Sequence, residues 1–357
     1  MPHGNHLPHG NHLPHSNPMP HSNRSIDLAT THPVQYWMSN ASLTSCAVAN
    51  THRYIYSEQR LGWLGAIQPM ANVRFEAVLW HQGEANSFEP GIYACLFRSL
   101  IASWRRLFRS PGLPFVFVQL QPCSISLEHR LAQADALTLP GVGMATAIDL
   151  GDRGVGNGDY GECHSRYKDA VAARAALELR RLVYGDSVTS AGPVLLNATS
   201  VRRVAPDRHS PTGESTSVVT VLTFSNAAGM HLGPTVDSLV GCGLPASQEV
   251  FMLQSRPTHT TPPPGAGERP WLDVGLSARN GSLAADISIA GDVATLTLGQ
   301  PGVPPFVSKA GQPTQGGPAF EAVALRYAWQ DFPDCVLRNG RGLPAAPFRV
   351  SLLPPAV

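Results

Sequence analysis

The residues with the most chemical content stand together at His81-Gln82-Gly83-Glu84-Ala85-Asn86, where an apolar run from Phe75 to Trp80 stops abruptly. A buried strand that empties into polar groups is the pattern of the C-terminal edge of an open α/β sheet, where such sheets build their sites. Gln82 brings an amide donor, Gly83 lets backbone pass close to a ligand, and His81 and Glu84 bring titratable or hydrogen-bonding groups. A second candidate is His164, between a Gly-rich loop and the start of a helix, where an imidazole can face a pocket and move a proton. Ser165 follows it and can cap that helix. Asp149 and Asp152 close the preceding apolar run, Ala147-Ile148-Asp149-Leu150-Gly151-Asp152.

The elements that must carry these residues follow from periodicity. Leu61, Leu64 and Ile67 suggest a helix over 60–70, with Gly62, Gly65 and Pro69 against it. The run 75–80 predicts a strand. Tyr93, Leu96, Phe97, Leu100, Trp104 and Leu107 repeat at helical spacing and predict a helix over 91–109. Strands follow at 114–120 and 143–150, and helices at 127–137 and 165–184, the last closed by Gly185 as C-cap. Strand–helix alternation implies a parallel sheet with crossover helices. Beyond about residue 190 the pattern turns to strands, 218–224 and a hairpin over 285–298 turning at Gly291-Asp292, with Pro/Gly-rich loops at 262–265 and 311–318.

Three blocks of this chain resemble the sialate O-acetylesterases, a family of SGNH-type serine ester hydrolases. Trp80-x-Gln82-Gly83-Glu84-x-Asn86 is similar to one signature of that family. Asp149, Asp152, His164 and the Arg166-x-Lys168 that opens a helix are similar to a second. Val323 to Trp329 with Gly342 to Arg349 is similar to a third, and the blocks keep the family's order over roughly 33–350. The resemblance implies a fold: a flavodoxin-like SGNH hydrolase three-layer α/β domain, truncated at its N-terminus, over 31–189. A β-rich sandwich-like domain follows over 190–357, and a His/Pro/Asn-rich leader over 1–30 is expected to be disordered.

It also implies a reaction: removal of O-acetyl groups from sialic acid or a related sugar by serine and histidine, with no metal and no cofactor. His164 would be the base. Glu162 is a possible orienting acid, with Asp159, Asp149 and Asp152 as alternatives, the last two also readable as loop-fixing groups. Gln82 and the backbone of Gly83 would hold the oxyanion, with His81, Glu84 and Asn86 completing the binding cluster and Glu84 holding the loop. The family's Gly-Gln-Ser-Asn nucleophile motif is absent from this sequence. After the leader, Ser-Asn occurs only at Ser39-Asn40 and Ser225-Asn226, and Ser39, in a segment similar to the family's, is the residual nucleophile candidate. The alternatives to an active esterase are a carbohydrate-binding pseudoenzyme and a truncated product.

Composition bounds the rest. A net charge of +1 leaves no electrostatic footprint for nucleic acid. No apolar run is long enough to span a bilayer. Six cysteines lack C-x-x-C spacing, so zinc and thioredoxin-like readings fall away, and their even number permits disulfides. Sequons at Asn40, Asn197 and Asn280 fit a secreted or lysosomal protein, as the resemblance does, although the N-terminus has no signal-peptide core. Histidines in the leader invite a metal-binding reading, but a low-complexity segment with incidental affinity is the preferred one.

Overall fold

A computed structural model describes residues 32–46, 61–87, 89–123, 127–153, 162–206, 214–236, 238, 242, 250–257, 271–275, 283–298 and 320–352. The leader, Asp159, the Asn280 sequon and the loops expected at 262–265 and 311–318 lie outside the described residues.

The first half is built on three parallel strands: β1 (Val78–Trp80), β2 (Phe115–Gln119) and β3 (Val142–Thr146), in the order β1-β2-β3. Helix α1 (Asn40–Thr44) precedes them. Helix α2 (Pro90–Leu107) crosses from β1 to β2, α3 (Leu127–Ala134) from β2 to β3, and α4 (Lys168–Val183) follows β3. Strand β2 is buried along its whole length, which is why Phe115 to Val118 read as a continuous apolar run, and the buried Gln119 amide that ends it donates to the Arg130 carbonyl. Its side chains alternate between two helix layers. Phe115 and Phe117 join Trp80, Tyr93, Leu96, Phe97, Leu100 and Trp104 in one core, so the predicted apolar stripe of α2 is its buried face. Val116 and Val118 pack instead with Ala175 and Val171 of α4. This is the expected three-layer α/β arrangement.

Several boundaries differ from expectation for local reasons. The predicted helix over 60–70 is a π turn at Trp63–Ile67 followed by a 3-10 turn at Gln68–Met70. A Cβ on Gly62 would lie 2.4 Å from the Tyr36 ring, so the glycine lets this segment press against the aromatic pair Tyr36-Trp37. Strand pairing at β1 begins only at Val78, whose N–H reaches the Pro114 carbonyl. Phe75 leaves the strand and packs edge-on against Phe108. Strand β3 ends at Thr146, because Ala147–Leu150 turn over. Helix α4 starts at Lys168 rather than 165; Ser165 instead accepts from the Tyr167 N–H at 3.3 Å. Gly185 closes that helix in the left-handed region, at φ 70°.

The second half is β-rich. It runs β4 (Val194–Pro206), β5 (Glu214–Ser225), β6 (His231–Pro234), β7 (Phe251–Pro257), β8 (Trp271–Gly275), β9 (Leu283–Ala290), β10 (Val293–Leu298), β11 (Phe320–Tyr327), β12 (Cys335–Arg338) and β13 (Phe348–Ser351). Eight of these strands form one sheet in the order β13-β11-β7-β8-β9-β10-β5-β4, and β12 pairs with β6 in a small second sheet. The two sheets share a core of Val218, Leu222, Phe224, Leu296, Tyr327 and Val336. The hairpin β9–β10 turns at Gly291-Asp292 as expected. Among the described residues this half contains no helix, and no described helix is long and apolar enough to cross a membrane.

The halves are stitched at the turn after β3. Ile148 enters the core of the β-rich half. Buried Asp149 takes ion pairs from Arg174 of α4 and from Arg338 of β12. Arg153 pairs with Asp334 and lies over the Phe332 ring. Three disulfides add Cys46–Cys95, Cys123–Cys163 and Cys242–Cys335.

Candidate active site

Parallel strands put their C-terminal ends on one edge, and the chain places its polar clusters there. His81 to Glu84 follow β1, Leu120 to Cys123 follow β2, and Ala147 to Arg153 follow β3. At that edge lies a pocket of about 340 Å³, lined by His32, Trp37, Trp80, His81, Gln82, Glu84, Ala85, His164 and Lys168. Residues more than eighty positions apart in sequence, Gln82 and His164, thus share one wall.

The turn after β1 is tightly determined. Gly83 sits at φ 154°, and a Cβ there would lie 2.9 Å from both His129 Nε2 and Leu120 Cδ1. Only glycine accepts that backbone against so close a floor. The Gln82 amide donates to Asn86 Oδ1 at 3.0 Å and to the His32 carbonyl at 3.2 Å, which occupies both its N–H groups. Its Oε1 accepts from the Tyr93 hydroxyl at 3.3 Å. Asn86 is buried and is absent from the pocket lining. It donates to Gln35 Oε1 at 2.9 Å and accepts from the Val34 N–H at 2.8 Å, pinning the segment that carries Trp37. Glu84 lines the pocket, and burial pushes its carboxyl above the ordinary glutamate range.

Beneath the turn lies a fully buried polar layer of His129, Arg130 and Gln133. Desolvation, aided by the Arg130 charge, pulls the His129 imidazole down to about 3, so this ring is neutral. Arg130 donates to the Leu120 carbonyl at 2.9 Å and the Gln121 carbonyl at 2.8 Å, fixing the loop after β2. Gln133 accepts from the Leu120 N–H at 3.0 Å and donates to the Gln82 carbonyl at 3.3 Å, joining the loops after β1 and β2.

His164 ends a 3-10 turn, Glu162–His164, whose middle residue is tied by the Cys123–Cys163 disulfide to the loop after β2. Desolvation and then the Lys168 charge lower its pKa below the ordinary value of 6.5. The same two causes, in the same order, lower His81, with a smaller contribution from His164. Both imidazoles are therefore mainly neutral at pH 7 and able to accept a proton. Among the described residues no group of three His, Cys, Asp or Glu side chains is placed to hold a metal.

The remaining candidates are placed differently. Glu162 belongs to the same turn as His164. Asp152 is buried and takes three hydrogen bonds from Arg166, including its backbone N–H at 2.9 Å. Those bonds hold its carboxyl below the usual range. Asp149 takes both ends of the Arg174 fork. Neither aspartate lines the pocket. Ser39 is the N-cap of α1; its Oγ accepts from the Ser42 N–H at 3.3 Å and lies 3.4 Å from Ser103 Oγ, and it does not line the pocket either. The sequence marks Lys168 only as part of the Arg166-x-Lys168 motif, and it carries no signal for a part of Trp37, Gln121 or Arg130 in the site.

Comparison with known proteins bears on this geometry. The family model described as carbohydrate esterase, sialic acid-specific acetylesterase, matches residues 38–156. That span holds the Trp80–Asn86 block, Asp149 and Asp152, and stops before His164. The sialate O-acetylesterase of Homo sapiens is 31% identical, over 45% of this chain and 36% of that protein. That of Rattus norvegicus is 28% identical, over 45% and 40%. The chain thus spans well under half the length of these curated relatives. A crystal structure of a carbohydrate acetylesterase from Xanthomonas citri superposes with a TM-score of 0.57 at 23% identity, covering 89% of this chain and 58% of the other, and shows the likeness of fold. The likeness to sialate O-acetylesterases read from the motifs holds in these comparisons for the Trp80–Asn86 block and the two aspartates, while the His164 turn and the Val323–Arg349 block lie beyond residues 38–156.

Proposed function

We propose that this chain, with its similarity to sialate O-acetylesterases, is a carboxylic ester hydrolase acting on O-acetylated sugars, with sialic acid or a sialoglycan as the acetylated substrate. The observation that carries the reading is the meeting of Gln82 and His164 in one pocket at the strand edge. His164 acts as the base: its lowered pKa keeps a lone pair available at neutral pH for a proton from an attacking hydroxyl, and it returns that proton to the leaving sugar oxygen. Gln82 donates to the developing oxyanion once the acyl oxygen takes the place of the His32 carbonyl. Glu162, in the turn of His164, is the proposed orienting acid, and Asp149 and Asp152 fix the loop through their arginines. Trp37 lines the apolar side of the pocket where a sugar ring would pack, with the buried Trp80 ring set against it at right angles. The three disulfides support an oxidising compartment, secreted or lysosomal. We further propose the partition into a leader at 1–30, an α/β domain at 31–189 and a β-rich domain at 190–357.

One observation favours a second reading, a pocket that binds acetylated sugar without turnover. The described lining contains no serine, and the Ser39 hydroxyl is engaged at the cap of α1. The deciding experiment is hydrolysis of a simple acetyl ester and of O-acetylated sialic acid by the full chain beside His164→Ala. Turnover lost in the variant supports the esterase. Absence of turnover together with a sugar-dependent rise in Tm supports the binding protein, and absence of both defeats the two readings alike.

A further inference from the structure

Between two of the three pocket histidines, His81 and His164, lies a residue to which no role has been given. Gln121 is 2% exposed, two positions past the end of the central strand β2. Its Nε2 donates to the Cys163 carbonyl, immediately before His164. Its Oε1 lies 3.3 Å from His81 Nε2. Its own carbonyl is held by Arg130 from below, and two residues on, Cys123 is disulfide-bonded to Cys163. The loop after β2 is therefore fastened to the His164 turn twice, once by a side-chain amide and once covalently.

The direction of this bridge follows from donor and acceptor chemistry. A backbone carbonyl only accepts, so the amide nitrogen of Gln121 must face Cys163. Its oxygen then faces His81, and an amide oxygen only accepts, so His81 Nε2 must carry the hydrogen. A neutral His81 is left with its lone pair on Nδ1.

We infer that Gln121 is a positioning residue: its amide selects the Nε2–H tautomer of His81 and locks that ring to the backbone of the His164 turn. The inference rests on the reading of this pocket as the ester-hydrolysing site for its functional meaning, but its chemical content is the state of His81. That state matters because three imidazoles, His32, His81 and His164, share the pocket. The titratable groups facing His81 are Lys168 from α4, His164 from the 3-10 turn, Glu84 from the turn after β1, and His32. Burial and the Lys168 charge keep His81 neutral against the upward pull of the Gln121 hydrogen bond, so its Nδ1 is an acceptor for a sugar hydroxyl, and the proton transferred in the reaction goes to His164.

The test uses the full chain labelled with 15N-histidine and long-range 1H–15N correlation spectra across pH, which report the tautomer and pKa of each ring with or without turnover. The wild-type protein is expected to show His81 protonated on Nε2 at pH 7.5. In Gln121→Glu the carboxylate still accepts from His81 but adds an opposite charge, so the His81 pKa is expected to rise by about one unit or more. A purely structural role would leave the His81 tautomer unselected, so the wild-type tautomer separates the two roles and the pKa rise in Gln121→Glu checks the contact itself. The expected rise, with the acid limb of kcat/KM following it where turnover exists, supports the inference. A wild-type His81 protonated on Nδ1, or a Gln121→Glu protein that folds with an unchanged His81 pKa, overturns it. If the variant fails to fold, the wild-type tautomer alone decides. A wild-type chain without turnover sinks the esterase reading and leaves the tautomer result to stand or fall separately.

Discussion

Replacing Asp149 by Asn tests whether the turn after β3 is held by charge. Asp149 is 1% exposed, and the side chains of Arg174 and Arg338 are 12% and 14% exposed, so all three ionic groups are shielded from solvent. The contacts are 2.5 and 2.8 Å to the Arg174 fork and 2.6 Å to Arg338 Nη1. Removing the charge leaves two guanidinium groups facing a neutral amide that presents its own donors. Breaking a buried ion pair costs about 3–5 kcal/mol. The lower end applies here, because Arg174 keeps the Thr146 carbonyl and Arg338 keeps the carbonyls of Gly342 and Pro234. For 357 residues, an unfolding entropy of roughly 0.7 kcal/mol/K converts about 3 kcal/mol into a Tm fall of about 4 °C. Urea unfolding followed by tryptophan fluorescence, in a double-mutant cycle with Arg338→Gln, is the assay. The cycle is expected to give a coupling of about 1–3 kcal/mol, since the two side chains touch. A loss below about 1 kcal/mol with additive single effects would refute the argument that this pair joins the halves.

Two further outcomes follow from the pocket. Lys168→Met removes the charge that is the second cause of the lowered pKa at both His81 and His164. Both pKa values are then expected to rise toward 6.5, and because the base works in its neutral form, the acid limb of any kcat/KM profile should move to higher pH; an unmoved limb excludes Lys168 as a neighbour of the base. Gly83→Ala puts a Cβ 2.9 Å from His129 Nε2 at a backbone of φ 154°, which should cost roughly 1–3 kcal/mol in urea unfolding; wild-type stability in this variant would show that the turn after β1 is laxer than its contacts imply.

The sequence made the α/β half legible where burial is simple. The stripe Tyr93, Leu96, Phe97, Leu100, Trp104 is the buried face of α2, and the apolar run of β2 is a strand covered on both sides. Legibility failed where a tertiary contact overrides local pattern, as where the aromatic rings Tyr36 and Trp37 sit against Gly62 and the segment forms a π turn. It also failed for β4, whose outward Leu196 and Val201 break the alternation expected of a half-buried strand. Pairing of the six cysteines had no sequence signal at all, since 40 or more residues separate the partners in each bridge.

The candidate site divides in the same way, and the division has a cause. His81, Gln82, Gly83 and Glu84 are consecutive, so one strand end displays them together and a motif can record them. His164 is held at the same pocket by contacts across elements: Cys163 is bonded to Cys123, Gln121 holds the Cys163 carbonyl, and Arg130 holds the Gln121 carbonyl. Each step of that chain joins residues of different elements, and none leaves a local pattern in the sequence. The buried arginine shows this most plainly. Arg130 stands on a short helix whose sequence, Leu127-Glu128-His129-Arg130, reads as a solvated face, yet both His129 and Arg130 are fully buried. Burial of a guanidinium is costly unless its donors are met, and here Nε and Nη2 are met by the carbonyls of Leu120 and Gln121. Those two carbonyls lie at a strand end, where no further ladder partner satisfies them. The Nε and Nη2 donors of the arginine and the carbonyls of the strand end therefore satisfy each other, and that contact fixes the backbone from which Gln121 reaches His81 and the Cys163 carbonyl.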